Sequence, residues 1–246
     1  MFARALAGIA AKLPSSIKYR MGKLKPIYTT AMGLGQPDTV VETSIGKLHW
    51  QIDALTSQQF LLGTYERYMQ DAFRKYVSPG SIVFDVGAHV GFHSMFCGLL
   101  VGPTGKVVAF EPNPISRSSL ERQIRANSDL CVEVVPYALS DAVGFADFDA
   151  TQGPESRLTP TGQSKVEIRT LDTLVSVELP IPDMIKIDVE GKEENVLRGS
   201  RETLSKFRPI ILCDYNDDKT LTAVSRILRP LGYEVLSGPP VIGVPR

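Results

Sequence analysis

The sequence predicts an α/β fold in which a mostly parallel sheet is covered by helices on both faces. The first observation is a strand, a helix and a strand in succession: an apolar run at residues 82–86, a helical segment, and a second apolar run at 107–110. The second is that further short apolar runs at 184–189 and 209–212 also lead to acidic residues. With 246 residues, of which 43% are apolar, the chain can bury the core of one such domain with additions.

The first 37 residues differ in charge from the rest of the chain. They contain six basic residues and no acidic residue, whereas the whole chain has 27 of each and a formal net charge of zero. This overall balance gives no reason to expect a nucleic-acid partner. We expect residues 1–37 to form a basic helical extension, which either caps the domain or contacts an anionic membrane surface or a partner protein.

Two features bear on localisation. The apolar run at residues 5–11 is too short to span a membrane, and no cleavage pattern of a signal peptide follows it closely. Cys97, Cys131 and Cys213 lack the spacing of a metal site or a redox pair, and their apolar surroundings are typical of buried free thiols. We therefore expect a cytoplasmic protein, with peripheral membrane association through the extension as the alternative.

Residues 38–80 are predicted to form a hairpin and a lid helix before the core. Strand-like segments at 39–42 and 47–52 flank a turn, which indicates the hairpin. Trp50, the only tryptophan in the chain, is expected in the core. Residues 63–77 have aromatic and apolar residues at helical spacing, and a proline and a glycine follow this helix.

The segment 81–114 has the residue pattern of a nucleoside-binding site. Between the first core strand and the following helix lies a loop with the residues Gly87, Ala88, His89, Val90 and Gly91. Glycines here let the backbone approach a ligand at the helix N-terminus. The next strand ends at Glu111, whose carboxylate can accept hydrogen bonds from both hydroxyls of a ribose.

The residues of the same loop indicate which nucleoside cofactor fits. A dinucleotide-binding loop has three glycines in the pattern G-x-G-x-x-G, whereas Ala88 and His89 occupy the middle of this loop. Asp85 precedes the loop, and its carboxylate disfavours an anionic pyrophosphate but favours a cationic ligand. S-adenosylmethionine, which carries a sulfonium and an ammonium group, therefore fits better than NAD.

The stretch IKIDVEG contains the second group of candidate site residues. A strand over 184–189 has Lys186, Asp188 and Glu190 on one side near its C-terminal end, where ligands bind in open α/β sheets. A structural ion pair is the alternative, because charges in a central strand are costly unless they are paired. We prefer a functional role, since the group lies at the strand end beside the expected cofactor.

The remaining segments are predicted to complete the sheet and add to it. We expect a strand at 131–135, a loop at 138–140, an extra hairpin at 145–148 and 166–169, and an edge hairpin at 233–236 and 241–244. The polar stretch 151–164 inside the extra hairpin is expected to be either a mobile lid that recognises a substrate or a tolerated insertion.

Five peptides, in this order and spacing, resemble the FkbM-type family of class I S-adenosylmethionine-dependent methyltransferases: VFDVGAHVGFHS, VVAFEPNP, VVPYALSD, RTLDTL and IKIDVEGKEENVLRG. The resemblance implies a Rossmann-like class I methyltransferase fold, with a mostly parallel seven-stranded sheet and an S-adenosylmethionine-binding domain over residues 81–246. Two residues depart from the family pattern. His89 stands where an asparagine is usual, and Asp214 stands where a strand commonly ends in a glutamate.

The resemblance also implies roles for individual residues. Contacts to the cofactor are expected from Asp85, Gly87, Ala88, His89, Gly91, Glu111, Ala138, Leu139, Ser140 and Asp188. In similar methyltransferases the loop at 138–140 lies beside the adenine, and the chain before the first core strand covers the cofactor. Residues 64–66 would then either reach the methionine moiety or cap a helix. The expected acceptors are hydroxyl groups of sugars, glycans, lipids or secondary metabolites.

Methyl transfer to a hydroxyl needs an aligned acceptor and a group that removes its proton. We expect Asp188 to be this base or to orient the acceptor, with Glu190 supporting it. His93 is a lesser candidate, because we expect it on the surface of its helix. No metal is predicted, although Asp188, Asp214 and Asn216 weakly resemble the oxygen ligands of Mg²⁺ in some class I O-methyltransferases.

Two other functions are compatible with the sequence. The first is a nicotinamide-dependent oxidoreductase, which the glycine spacing and Asp85 disfavour. The second is a non-catalytic nucleoside-binding subunit of a glycan-assembly complex, which the presence of Asp188 and Glu190 disfavours only modestly.

Overall fold

The computed structural model describes residues 38–149, 157–158, 164–214 and 218–246. The expected basic extension at 1–37 and most of the polar stretch at 151–164 lie outside the described residues. None of the described helices is both long enough and apolar enough to cross a membrane.

Strands and helices alternate through most of the described chain. The strands are β1 Asp38–Glu42, β2 Lys47–Gln51, β3 Ile82–Val86, β4 Lys106–Phe110, β5 Val132–Val135, β6 Ala138–Leu139, β7 Gly144–Asp149, β8 Arg157–Leu158, β9 Ser164–Arg169, β10 Met184–Ile187, β11 Ile210–Cys213, β12 Tyr233–Leu236 and β13 Val241–Pro245. The helices are α1 Gln58–Leu62, α2 Arg67–Tyr76, α3 Phe92–Val101, α4 Pro114–Ala126, α5 Leu171–Val177, α6 Glu193–Arg198, α7 Arg201–Phe207 and α8 Asp218–Leu228.

Seven of the described strands form one sheet in the order β12, β13, β11, β10, β3, β4 and β5. Neighbouring strands from β11 to β5 are parallel, whereas β13 is antiparallel to both of its neighbours. The chain builds outward from β3 in one direction through β4 and β5, and in the other through β10 and β11. Ligands bind beside such a switch point in open α/β sheets. The predicted mostly parallel seven-stranded sheet and its edge hairpin are confirmed.

Different helices bury the two faces of this sheet. Phe84 and Ile185 belong to an apolar core that also contains residues of α5, α6, α7 and α8. Val83 and Met184, the preceding residues of the same strands, belong to a second core with residues of α2 and α3. Because successive side chains of a strand point to opposite faces, a strand covered on both sides reads as a continuous apolar run. This double burial explains the runs at β3 and β10.

A second sheet of the described residues has the order β6, β9, β7 and β8. β7 and β9 pair in antiparallel register, so the predicted extra hairpin is confirmed. β6 pairs in parallel with β9 through Ala138 and Leu139. The prediction of a loop at 138–140 was therefore wrong for these two residues, because β9 supplies a pairing partner that lies about thirty positions later in the chain.

The predicted N-terminal hairpin is confirmed as β1 and β2, and it packs on helix α4. The Gln123 side-chain amide accepts a hydrogen bond from the Gln51 backbone N–H and donates one to the Gln51 carbonyl, both at 2.9 Å. Asn127 makes the same pair of bonds with His49, both at 2.8 Å. Two buried side-chain amides therefore bind the edge of β2 in the way that a neighbouring strand would.

Trp50 connects this hairpin to the core, as predicted. Its side chain is fully buried, and its ring centroid lies 5.3 Å from that of Phe60 in α1 and 5.9 Å from that of Phe92 in α3. Phe92 is the first residue of the helix that follows the glycine loop. The hairpin thus packs against the helix start that the sequence associates with ligand binding.

Two elements are shorter than the sequence predicts. The lid helix expected at 63–77 is α2, which begins only at Arg67, because Gly63 and Glu66 adopt left-handed conformations with φ of 65° and 42°. A separate short helix, α1, precedes it. The strand expected at 184–189 ends at Ile187, and the chain turns away at Glu190 with φ of 53°.

Replacing Gln123 with Leu tests the docking of the hairpin. The change keeps the size of the side chain but removes both bonds to Gln51, so we expect the free energy of unfolding to fall by about 2–4 kcal/mol in urea denaturation. Arg125→Gln on the exposed side of the same helix should change it by less than about 0.5 kcal/mol. Equal effects of the two substitutions would contradict this role of Gln123.

Candidate functional site

The candidate site lies at the carboxyl ends of the neighbouring strands β3, β4 and β10. The backbone N–H groups of Gly87 and Ala88 both donate to the carbonyl of Phe110, which is the last residue of β4. The N–H of Asp188 donates to the carbonyl of Val86 at 3.0 Å. The glycine loop, Glu111 and Asp188 are therefore brought together at one edge of the sheet, as the sequence predicts.

The two loop glycines are needed for packing as well as for close approach. Gly87 has φ of 80°, and a Cβ atom there would lie 1.8 Å from the carbonyl oxygen of Asp188. Gly91 has φ of 89°, and a Cβ atom there would lie 2.2 Å from the Leu120 side chain. His89, between them, also has a positive φ of 51°. Asparagine and histidine are both enriched in this conformation, which accounts for either residue at this position.

A buried network of ion pairs joins the carboxyl ends of β3 and β10. The Lys186 ammonium lies 3.1 Å from Asp85 Oδ1 and 3.4 Å from Asp188 Oδ2, and it donates to the Gly87 carbonyl at 3.0 Å. Asp85 Oδ2 accepts a hydrogen bond from the Ser94 hydroxyl at 2.6 Å. Burial alone would lower the pKa of Lys186, but Asp85 and Asp188 hold this pKa above its ordinary value.

Exposure separates the two carboxylates of this network. The side chains of Lys186 and Asp85 are only 2% and 1% exposed, whereas that of Asp188 is 21% exposed. The ion pair that the sequence left as an alternative forms between Lys186 and Asp188, and Lys186 also pairs with Asp85, which that alternative did not include. Asp188 shares in the pair and still has a side chain that a ligand can reach.

Glu111 is held by the backbone on both of its oxygens. Its Oε2 accepts from the N–H of His89 at 2.7 Å, and its Oε1 accepts from the N–H of Asn113 at 2.7 Å. The residue is only 6% exposed. Burial raises the pKa of the Glu111 carboxyl to about 7, although the two backbone N–H groups act in the opposite direction.

The start of α2 and the residue before it contact α3 and the end of β11. The Tyr68 hydroxyl donates to Asp214 Oδ1 at 3.0 Å, and Glu66 Oε2 lies 2.8 Å from Nε2 of His93 in α3. His93 is 5% exposed, so the prediction that it lies on the surface of its helix was wrong. The segment at 64–66 that pairs with His93 could not be identified from the spacing within α3.

The structure also describes the remaining predicted site residues. Ala138 and Leu139 are buried in β6, and the Ser140 hydroxyl donates to Asp141 Oδ1 at 3.1 Å. Glu190 is exposed, and because β10 ends at Ile187 it does not continue the alternation of Lys186 and Asp188.

The weak resemblance to a magnesium site stays a prediction, because one of its three residues lies outside the described part of the chain. Among the described residues, no group of three or more His, Cys, Asp or Glu side chains is arranged to hold a metal ion. Asn216 lies outside the described residues.

The structure also identifies a residue that the sequence interpretation missed. Glu193 is 4% exposed, and its Oε1 accepts hydrogen bonds from the N–H groups of Val189 at 3.2 Å and Gly191 at 3.0 Å. It therefore fixes the turn that follows Asp188. The signal available in the sequence was an acidic residue two positions after Gly191, at the start of a helix.

Replacing Lys186 with Met tests the buried network. The substitution leaves Asp85 buried without its counter-charge, so we expect the free energy of unfolding to fall by about 3–5 kcal/mol in chemical denaturation. Lys106→Met is the matched control, because Lys106 pairs with Glu133 at a site where both side chains are over 40% exposed. It should cost less than about 1 kcal/mol. A loss at Lys186 no larger than that of the control would contradict this role.

Comparison with known proteins relates this geometry to a family. Residues 85–235 match the model of a protein family that is described as Methyltransferase FkbM domain. The hexuronic acid methyltransferase AglP of Haloferax volcanii is 32% identical over 139 residues, which cover 53% of this chain and 54% of that protein. The 2-O-methyltransferase NoeI of Sinorhizobium fredii is 26% identical over 163 residues, covering 57% and 65%. The chain thus spans less than two thirds of either relative.

A solved structure agrees in fold. The crystal structure of methyltransferase FkbM from Methylobacillus flagellatus KT has a TM-score of 0.52 at 16% sequence identity, and the match covers 78% of this chain and 55% of that one. At this identity the likeness concerns the fold alone. The domain match extends over more than half of the chain and includes Asp85, Glu111 and Asp188. The protein belongs to the FkbM methyltransferase domain family.

Proposed function

We propose that this protein transfers the methyl group of S-adenosylmethionine to a hydroxyl oxygen of a sugar or another hydroxylated metabolite. The observation that carries the proposal is the convergence of the glycine loop, Glu111 and Asp188 at the switch point of the sheet. Membership of a methyltransferase family favours this function over that of a nicotinamide-dependent oxidoreductase.

The described residues fit an adenosyl cofactor with a cationic end. Glu111 would bind the ribose hydroxyls, and the left-handed backbone at Gly87 and His89 would let the loop approach the ligand. Asp188 and Asp214 add carboxylates at neighbouring strand ends, and Asp85 already offsets the charge of Lys186. The cofactor supplies an electrophilic methyl group on a sulfonium.

Asp85 would contribute to cofactor binding through position rather than by contact. Its side chain is 1% exposed and is held by Ser94 and Lys186. Lys186 in turn donates to the carbonyl of Gly87, so this network fixes the first residue of the loop. We assign Asp85 to the support of the loop.

Asp188 is the residue best suited to act on the acceptor. Of the two carboxylates beside Lys186, it is the one that an acceptor hydroxyl can reach. It would orient the hydroxyl and accept its proton as the new bond to carbon forms. Glu190, exposed two residues later, would contribute from the rim of the site.

The names of two relatives support one class of acceptor. The names of the two similar proteins refer to a hexuronic acid and to 2-O-methylation, which favours a sugar hydroxyl as the acceptor here. A transfer to glycans, lipids or secondary metabolites uses the same chemistry at oxygen. A screen that follows labelled methyl groups from S-adenosylmethionine into sugars and extract fractions will identify the acceptor.

Replacing Asp188 with Asn tests its role in methyl transfer. The amide keeps the shape of the side chain but cannot accept the proton, so turnover should fall by at least about 100-fold. The affinity for S-adenosylmethionine, measured by calorimetry, should change by less than about threefold. Lost binding with unchanged turnover per bound cofactor would instead make Asp188 a cofactor-binding residue.

The raised pKa of Glu111, about 7, predicts pH-dependent cofactor binding. Below that value the carboxyl is protonated and loses one acceptor for the ribose hydroxyls. The affinity for S-adenosylhomocysteine should therefore fall as the pH is lowered through about 7, by up to about tenfold per pH unit. Glu111→Gln should bind more weakly and show little of this dependence. A constant affinity of the native protein between about pH 6 and 8 would contradict the assignment.

A further inference from the structure

Glu66 has an unusual conformation and an unusual partner. It is a non-glycine residue with φ of 42°, and it occupies the N-cap position of α2 without making a side-chain capping bond. Its carboxylate instead meets Nε2 of His93, 27 residues later in the chain, at 2.8 Å. Residues held in this region of backbone conformation are often associated with function.

The imidazole ring of His93 is buried among three aromatic rings. Its ring centroid lies 5.2 Å from that of Tyr65, 5.4 Å from that of Phe73 and 5.8 Å from that of Phe92, and the residue is 5% exposed. Among the described residues, its second ring nitrogen, Nδ1, has no hydrogen-bond partner. A carboxylate can only accept, so Nε2–H donates to Glu66. The imidazole thus presents a fixed donor to the segment before α2.

Two contacts hold this segment on either side of Asp188. Glu66 binds α3, the helix that follows β3, and Tyr68 binds Asp214 at the end of β11. β10, which leads to Asp188, lies between β3 and β11 in the sheet. The segment from Glu66 to Tyr68 therefore crosses the strand end that carries Asp188.

A third set of contacts fixes the backbone immediately before this segment. The buried side chain of Gln70 donates to the carbonyl of Tyr65 at 2.6 Å and to that of Gly63 at 3.3 Å. The Tyr65 ring packs against Phe92, with 5.6 Å between ring centroids. Burial, with the nearby charges of Glu66 and Asp188, raises the pKa of Tyr65, which is consistent with a phenol close to both carboxylates.

We propose that Glu66 is a positioning residue for methyl transfer, which binds His93 and so holds Tyr65 and its segment over Asp188 in the arrangement that the reaction requires. This inference rests on the proposed methyltransferase function. Glu66 would act through the segment rather than on the reacting atoms. Its removal should therefore lower the turnover number more than the affinity for the cofactor.

Three substitutions at position 66 test this proposal in the full chain. Glu66→Ala should lower kcat by at least about 30-fold, with the affinity for S-adenosylhomocysteine changed by less than about threefold. Glu66→Gly should do the same while it relieves the positive φ, so a loss of activity in this variant does not come from backbone strain. Glu66→Gln keeps an acceptor for His93 and should restore kcat to within about fivefold of the native value.

The matched control is Asp71→Ala. Asp71 is an acidic residue of the same helix, and it pairs with Arg74 on the exposed side at 2.7 Å. Its removal should leave kcat unchanged. Amide hydrogen exchange in the complex with S-adenosylhomocysteine gives a second readout. Protection of residues 64–68 should fall at least about tenfold in Glu66→Gly but not in the control.

The outcomes separate the two proposals. Native kcat and native protection in both Glu66→Ala and Glu66→Gly would overturn the role of Glu66 and leave the methyltransferase function intact. A native protein that binds S-adenosylhomocysteine but methylates no hydroxylated acceptor would overturn the proposed function, and the positioning role with it. A loss of kcat in Glu66→Gln as large as in Glu66→Ala would also overturn the proposal, because the hydrogen bond to His93 would then not be the cause.

Discussion

The rest of the site depends on the ion pairs and the hydrogen bond that the buried ammonium of Lys186 makes. The ammonium lies between Asp85 at the end of β3 and Asp188 after β10, and it also binds the carbonyl of Gly87. A charge this deep is stable only with its counter-charges in place. The network therefore holds the start of the glycine loop against the end of β10. The position of the loop is thus fixed before a ligand binds.

The three carboxylates of the site, Asp85, Glu111 and Asp188, differ in burial and in their hydrogen-bond partners. Asp85 is buried and supports the loop. Glu111 is also buried, and its two oxygens accept hydrogen bonds from backbone N–H groups. Asp188 is partly exposed. Three carboxylates thus have three different environments within one site. This division agrees with a site that binds a nucleoside at one end and orients a hydroxyl at the other, which is the arrangement that the proposed methyl transfer needs.

Elements outside the central sheet also position the site. The hairpin of β1 and β2 packs Trp50 on Phe92 at the start of α3, and the segment before α2 binds His93 one residue later. The chain before the first core strand is therefore part of the site's architecture. It links the position of α3, and with it the glycine loop, to the segment that covers Asp188.

The sequence by itself determined the α/β class, the order of strands and helices around the glycine loop, and the placement of Glu111 and Asp188 at strand ends. These follow from local apolar periodicity and from residues that stand next to one another in the chain. Only the tertiary structure decided that Lys186 neutralises Asp85, that Ala138 pairs in a second sheet, and that His93 is buried against Glu66. Each of these contacts joins residues that lie about 30 to 100 positions apart, and such partners are chosen by how the strands and helices pack, a property that no local pattern encodes.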